Sequence, residues 1–415
     1  MTRRLTIPAA IAVAACIVCA QEPTPDTVRK LLDTGKYADA ESGARRLLAA
    51  AENGPGAISR ESADALNFLL VALVQQGKLD TGEALEVARR NLAVREKVYS
   101  PGDAELATAL NALGALYVRL GRDDEGRPLL ERALAIYEPT PDRDSAKACA
   151  AWINLGWLLT DIGDYPEAIR SYARALAIAE HNRDTTRIAS ALNGQAITYR
   201  HMRDYAKARA NYERSVALYE KQLGPDHERV AAPLNNLAQL FLVTGDPESA
   251  RPLFARALAI CEKAFGPDSF RAADMLAGLG MAEANTGGFQ AARPLLEHAV
   301  AIRQKYQAQS NPLAGTEAEL ATLLSRVGDF TGALDAALDA ESISRRNLEL
   351  TARILPERQA LDYASTRVRG LDLAVSLVAA QASAARAPVM DAIIRSRALV
   401  FDEMAARHRD RKSVV

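Results

Sequence analysis

The sequence predicts an all-α chain, a solenoid of about seven to eight helix pairs followed by C-terminal helices. Three observations carry this. A turn glycine recurs at Gly35, Gly77, Gly121, Gly163, Gly245, Gly287 and Gly328, with Arg203 standing in once, at spacings of 42, 44, 42, 40, 42, 42 and 41. A small residue follows each turn, at Ala40, Ala84, Gly126, Ala168, Ala208, Ala250, Ala292 and Ala333. Before the turns, apolar residues fall at helical spacing, as in Leu110, Leu113, Leu116 and Leu120. Self-similarity at this period marks a stacked array, in which each unit buries its apolar face on its neighbours.

Residues 1–20 read as an address rather than as structure. Arg3 and Arg4 form a positive start, Ile7 to Val18 form a short apolar run, and Val18 and Ala20 supply small residues before Gln21. This is the layout of a secretory signal peptide, and the run is too short to span a bilayer comfortably. The mature chain is therefore expected to be exported, to the periplasm or the extracellular space, without a transmembrane span. Val13-Ala14-Ala15-Cys16 resembles a lipobox, so lipidation at Cys16 and a membrane-tethered lipoprotein form the alternative.

Each repeat, over residues 27–349, reads as two amphipathic helices. Small residues seven before the turn position, as in Gly114, Gly156, Ala196, Ala238, Gly280 and Ala321, let two helices approach closely. The junction glycine suits a helix end that needs a left-handed residue. A second small-residue column continues through Ala133, Ala175, Ser215, Ala257, Ala299 and Ala340, but the first two repeats depart from it with Leu47 and Asn91. Pro and Asp mark the loops between repeats, as in Gly224-Pro225-Asp226-His227.

LNALGALY at 110–117, INLGWLL at 153–159, LNNLAQLF at 234–241 and the linker YEKQLGPDHERVA at 219–231 resemble the tetratricopeptide repeat in its long, 42-residue, kinesin-light-chain-like form. The resemblance implies a right-handed superhelix whose concave surface, lined by the first helix of each pair, binds a peptide or protein partner. It implies no cofactor and no catalysis.

In such proteins the groove positions lie ten, six, three and two residues before the turn. The first of these gives Asn67, Asn111, Asn193 and Asn235, broken at Ile153 and Ala277. Asn is a mediocre helix former, so four at one position ask for a reason. Their amides either hydrogen-bond the main chain of an extended peptide or tie adjacent helices together. The other positions give Arg119, Trp157, Arg200, His201, Gln239, Asn285 and Arg326. Arginine suits a carboxylate and tryptophan suits an apolar side chain.

After residue 349 the period stops. Residues 350–410 are expected to form a helical connector, with Leu361, Val368, Leu371, Ala374, Val375 and Val378 as apolar positions. ILPERQALDYAS at 354–365 and IIRSRALVFDEMAARHR at 393–409 resemble the connector that precedes a CHAT domain, a caspase-related Cys/His peptidase. No such domain follows in this sequence. The alternative function is thus the regulatory half of a repeat–CHAT protease, with that protease as a missing domain or partner.

Composition excludes several classes. A net charge of −1, with 25% charged and 49% hydrophobic residues, fits neither a polyelectrolyte nor a membrane bundle, and offers no basis for nucleic-acid binding. No phosphate loop or dinucleotide fingerprint occurs, and Ala231 stands where a second zinc-binding His after His227-Glu228 would have to be. Metal and catalytic residues are expected to be absent. Beyond the leader, Cys149 and Cys261 are expected as buried, unpaired thiols.

Overall fold

The computed structural model describes residues 23–78, 82–139, 145–306, 311–352, 370–381 and 388–393. The leader with Cys16, and the connector segments 354–365 and 393–409 apart from Ile393, lie outside the described residues. Within them the chain forms 17 helices and no strand. It divides into two compact units, the first ending at Arg187 and the second beginning at Ile188.

The first unit runs α1 (Pro25–Asp33), α2 (Tyr37–Asn53), α3 (Arg60–Gln75), α4 (Glu83–Val98), α5 (Ala104–Arg119), α6 (Asp123–Tyr137), α7 (Ala146–Asp161) and α8 (Tyr165–His181). The second contains α9 (Thr185–His201) from Ile188 on, α10 (Tyr205–Leu223), α11 (Glu228–Val243), α12 (Pro247–Phe265), α13 (Ala272–Asn285), α14 (Phe289–Tyr306), α15 (Asn311–Arg326), α16 (Phe330–Ala352) and α17 (Gly370–Gln381). Odd-numbered helices up to α15 are the first members of the pairs.

A two-residue device makes each hairpin. Gly163 and Gly245 adopt φ of 85° and 80°, the left-handed region that ends a helix, and Arg203 is held at 60° in the same role. The next residue is an aspartate that caps the following helix. Asp164 accepts from the Glu167 N–H, Asp204 from Lys207 and Asp246 from Ser249.

Hairpins close tightly because small residues sit where they meet. A Cβ on Gly156 would lie 2.8 Å from the Tyr172 ring. The core of the first unit gathers Leu66, Leu69, Leu73, Leu113 and Tyr117, and that of the second gathers Leu234, Ile260, Leu276, Leu296 and Leu323. First helices also touch the next first helix, α1 with α3 and α5 with α7 in one unit, α11 with α13 and α13 with α15 in the other. Second helices are tied instead by ion pairs at the surface, Arg90 to Glu52, Arg132 to Glu96 and Arg256 to Glu220.

The last repeat is covered by α17, which packs on α16 and α15. Gly370 makes this possible, since a Cβ there would meet the Ala337 carbonyl at 2.1 Å. The Leu371 N–H donates to buried Glu341. Cys149 and Cys261 are buried and unpaired, as expected. Among the described residues, no helix is long and apolar enough to cross a membrane.

Candidate binding site on the first helices

The asparagine column divides by environment. In the first unit Asn67 and Asn111 are half-buried, and Asn111 Oδ1 accepts from Asn154 Nδ2 at 2.9 Å. In the second unit Asn193 is buried and accepts from Asn236 Nδ2 at 3.1 Å. Both bonds run to the residue nine before the next turn. They support the tie between helices rather than a free amide. Asn235 is buried too, but its Oδ1 has no partner. Its counterpart nine before the next turn is Gly278, which has no side chain to give. That glycine is forced by packing, since a Cβ there would lie 2.2 Å from the Phe254 ring.

At this break in the column the second unit opens a cavity of about 360 Å³. First helices supply nearly all of its wall: Arg200 from α9, Gln239, Leu242 and Val243 from α11, Ala277, Gly278 and Met281 from α13, and Gly315, Thr316 and Glu319 from α15. Of the groove residues read from sequence, Arg200 and Gln239 are brought together here. His201, Asn285 and Arg326 are exposed and lie outside the cavity wall, as do Asn193 and Asn235. In the first unit, Arg119 is exposed at the end of α5, and Trp157 is half-buried on α7.

Two cavity residues were invisible to the groove pattern. Arg303 comes from a second helix, α14, and is 8% exposed. Its Nη2 meets Asp274 at 2.6 Å, and its Nη1 donates to the Pro312 carbonyl at 2.8 Å and to Thr316 Oγ1, while Nε lacks an acceptor. Asp274 stands thirteen before its turn and Arg303 sixteen after it, the register that Asp64 and Arg95 share in the first unit once the two-residue insertion before Ala84 is allowed for. An aspartate and an arginine recurring together at these two positions would have been the signal.

Electrostatically the cavity has ends of opposite sign. Arg200 lies beside Tyr212, whose phenol burial pushes up to about 12 against the pull of that arginine. Loss of water over part of its ring, then the Arg200 charge, hold His201 below the ordinary histidine value, although one edge is exposed. Across the cavity, crowding pushes the Glu319 carboxyl up, with Arg326 pulling it down. Deeper in α15, burial and then the Asp339 charge push Glu317 up to about 7, although Gln304 donates to it. Among the described residues, no three His, Cys, Asp or Glu side chains are grouped to hold a metal ion. The buried thiols are held in the unreactive form, Cys149 up to about 11.

Comparison with known proteins agrees with this architecture. Two models described as tetratricopeptide repeat match the chain, one over residues 105–181, 187–263 and 230–305, the other over 26–93. A kinesin light chain-related protein of Arabidopsis thaliana is 39% identical over 75 residues, which cover 18% of this chain and 12% of that protein. The chain thus spans about an eighth of that relative's length. The crystal structure of the APC/C hetero-tetramer Cut9–Hcn1 matches at 16% identity and a TM-score of 0.56, covering 86% of this chain and 56% of that one. A Rap protein in complex with competence and sporulation factor matches at 13% identity and a TM-score of 0.54, covering 78% and 97%. Both structural likenesses concern the fold.

Proposed function

We propose, from the premise that the chain belongs to the tetratricopeptide repeat family, that it is an exported, non-catalytic adaptor that binds a peptide or protein on the face formed by its first helices. The observation that carries this reading is the cavity of the second unit. It gathers two arginines, a glutamine and apolar walls on first helices, where the column of helix-tying asparagines stops. Peptide-binding surfaces combine such apolar floors with a few fixed polar groups. The Rap complex is named for a bound factor, which is consistent with this use of the fold. Export rests on the layout of residues 1–20.

The test is to isolate the native chain with its cross-linked partner and repeat the capture with surface variants. Arg326→Glu combined with Gln239→Ala, on first helices, should lose the partner. Arg174→Glu combined with Arg214→Glu, on second helices, should keep it. The opposite pattern would move the binding face to the other side. N-terminal sequencing checks export in the same preparation. A start at Gln21 or at lipidated Cys16 supports it, and an intact Met1 refutes it.

A further inference from the structure

We infer, resting on the first-helix reading above, that the cavity of the second unit accepts a carboxylate carried on an apolar body. The charge would meet Arg200 and the body would lie along Met281, Leu242 and Val243, filling the space beside Gly315. The ligand class is therefore an apolar organic acid, either free or as the C-terminal residue of a peptide.

Gly315 is the first observation. It lies inside α15 with ordinary helical backbone, where glycine costs about 1 kcal/mol relative to alanine. Gly278 has a packing reason for its missing side chain, but Gly315 has none. A Cβ built there finds no atom within 4 Å. The space it leaves is cavity, and a ligand is what would use it.

Arg200 is the second, independent observation. The other charges of the wall are already answered within the fold: Arg303 meets Asp274 at 2.6 Å, and Glu319 feels Arg326. Arg200 has only the phenol of Tyr212 and the ring of His201 beside it, and its buried Nε has no acceptor. Among the described residues no carboxylate pairs with it. A guanidinium in a partly dry wall selects a carboxylate over a neutral group.

The walls set the rest of the ligand. Val243 is 55% exposed, an apolar side chain left open at the mouth. A cavity of about 360 Å³ falls at the small end of ligand-sized pockets, room for one large side chain or a small aryl acid.

The experiment uses the full chain and two probe pairs. One is a set of hexapeptides ending in Leu, Met or Phe, made with a free C-terminal carboxylate and again as the C-terminal amide. The other is 4-phenylbutyrate and its amide. Binding is read by fluorescence anisotropy for the peptides and by saturation-transfer NMR for the small acid. At least one acid should bind roughly tenfold or more tightly than its amide, the worth of one charge-assisted contact. Arg200→Gln should erase that preference. Gly315→Leu should abolish binding from the opposite wall with an unchanged melting profile. Binding by the peptide acids alone, or by phenylbutyrate alone, identifies the source of the carboxylate. Equal binding of acid and amide, a preference that survives Arg200→Gln, or no binding by either acid would overturn the inference. Peptides weakened by Arg326→Glu but indifferent to Gly315→Leu would keep the first-helix face and remove only this pocket.

Discussion

Arg95 in the first unit and Arg303 in the second occupy one register, yet they live differently. Arg95 is 2% exposed and fully answered: Nε donates to Asn91 Oδ1 at 3.0 Å, Nη2 to Asp64 at 2.9 Å, and Nη1 to the carboxylate and carbonyl of Glu105. Arg303 keeps the aspartate and the carbonyl contact, now from Pro312, but Ala299 replaces Asn91 and proline replaces the glutamate. One site is closed and serves as a structural rivet. The other leaves a donor unmet and borders an open cavity. The repeat register thus fixes where a group lies, while its neighbours decide whether it is consumed by the fold or left for a ligand.

The largest expected effect tests this contrast directly. Arg95→Met should cost about 3 kcal/mol, because it strips Asn91, Asp64 and Glu105 of their common partner in a buried place. Arg303→Met should cost about 1 kcal/mol, since Asp274, with a side chain 60% exposed, returns to water. Hydrogen exchange in α4 and α14 reports each unit by itself, and equal losses would erase the distinction.

Gly278→Ala comes next, at about 2 kcal/mol of destabilisation, because the methyl would overlap the Phe254 ring. Protection lost in α12 and α13 together would show it, and a neutral outcome would mean that Phe254 is free to retreat.

Glu317→Gln is the third. Glu317 is 4% exposed at the register where the first unit carries Leu66 and Leu110. Its folded-state pKa is raised from 4.5 to about 7, so the folded chain holds this proton more tightly than the unfolded one. The stability this provides is full below about pH 4.5 and disappears as the pH rises through 7. The amide should therefore gain about 1–2 kcal/mol at pH 8 and little at pH 4.5. A gain of equal size at both pH values would exclude titration as its cause. The smallest effect is Gly315→Ala, expected to stabilise α15 by about 0.5–1 kcal/mol. A loss there would show that the space is already filled by the protein itself.

What was legible in the sequence follows from how local the cause is. The turn glycines announce themselves because a left-handed residue is needed at one point of the backbone, and Arg203 betrayed the same demand by its place in the period. The close contact at Gly156 was likewise readable from its column. Arg200 and Gln239 were found because the groove lies on first helices. Arg303 was missed because it reaches the cavity from a second helix, and its meaning depends on Asp274 and Thr316 in two other helices. Asn91 was noticed only as a departure from the alanine column, although its reason is the buried Nε of Arg95. Glu317 was equally visible as a polar residue in a leucine column. Its partners Gln304 and Asp339 come together only in three dimensions.

The ties along the helix pairs differ in kind between the two edges of each unit. The inner one is stitched by neutral amides, Asn111 to Asn154 and Asn193 to Asn236, while the outer one is stitched by exposed ions, such as Arg132 to Glu96 and Arg256 to Glu220. Dissolved electrolyte screens the second set and leaves the first almost untouched. Each unit therefore has the make-up of a bimetallic strip. Ionic strength slackens one edge alone, so salt concentration becomes a means of bending the protein without breaking it.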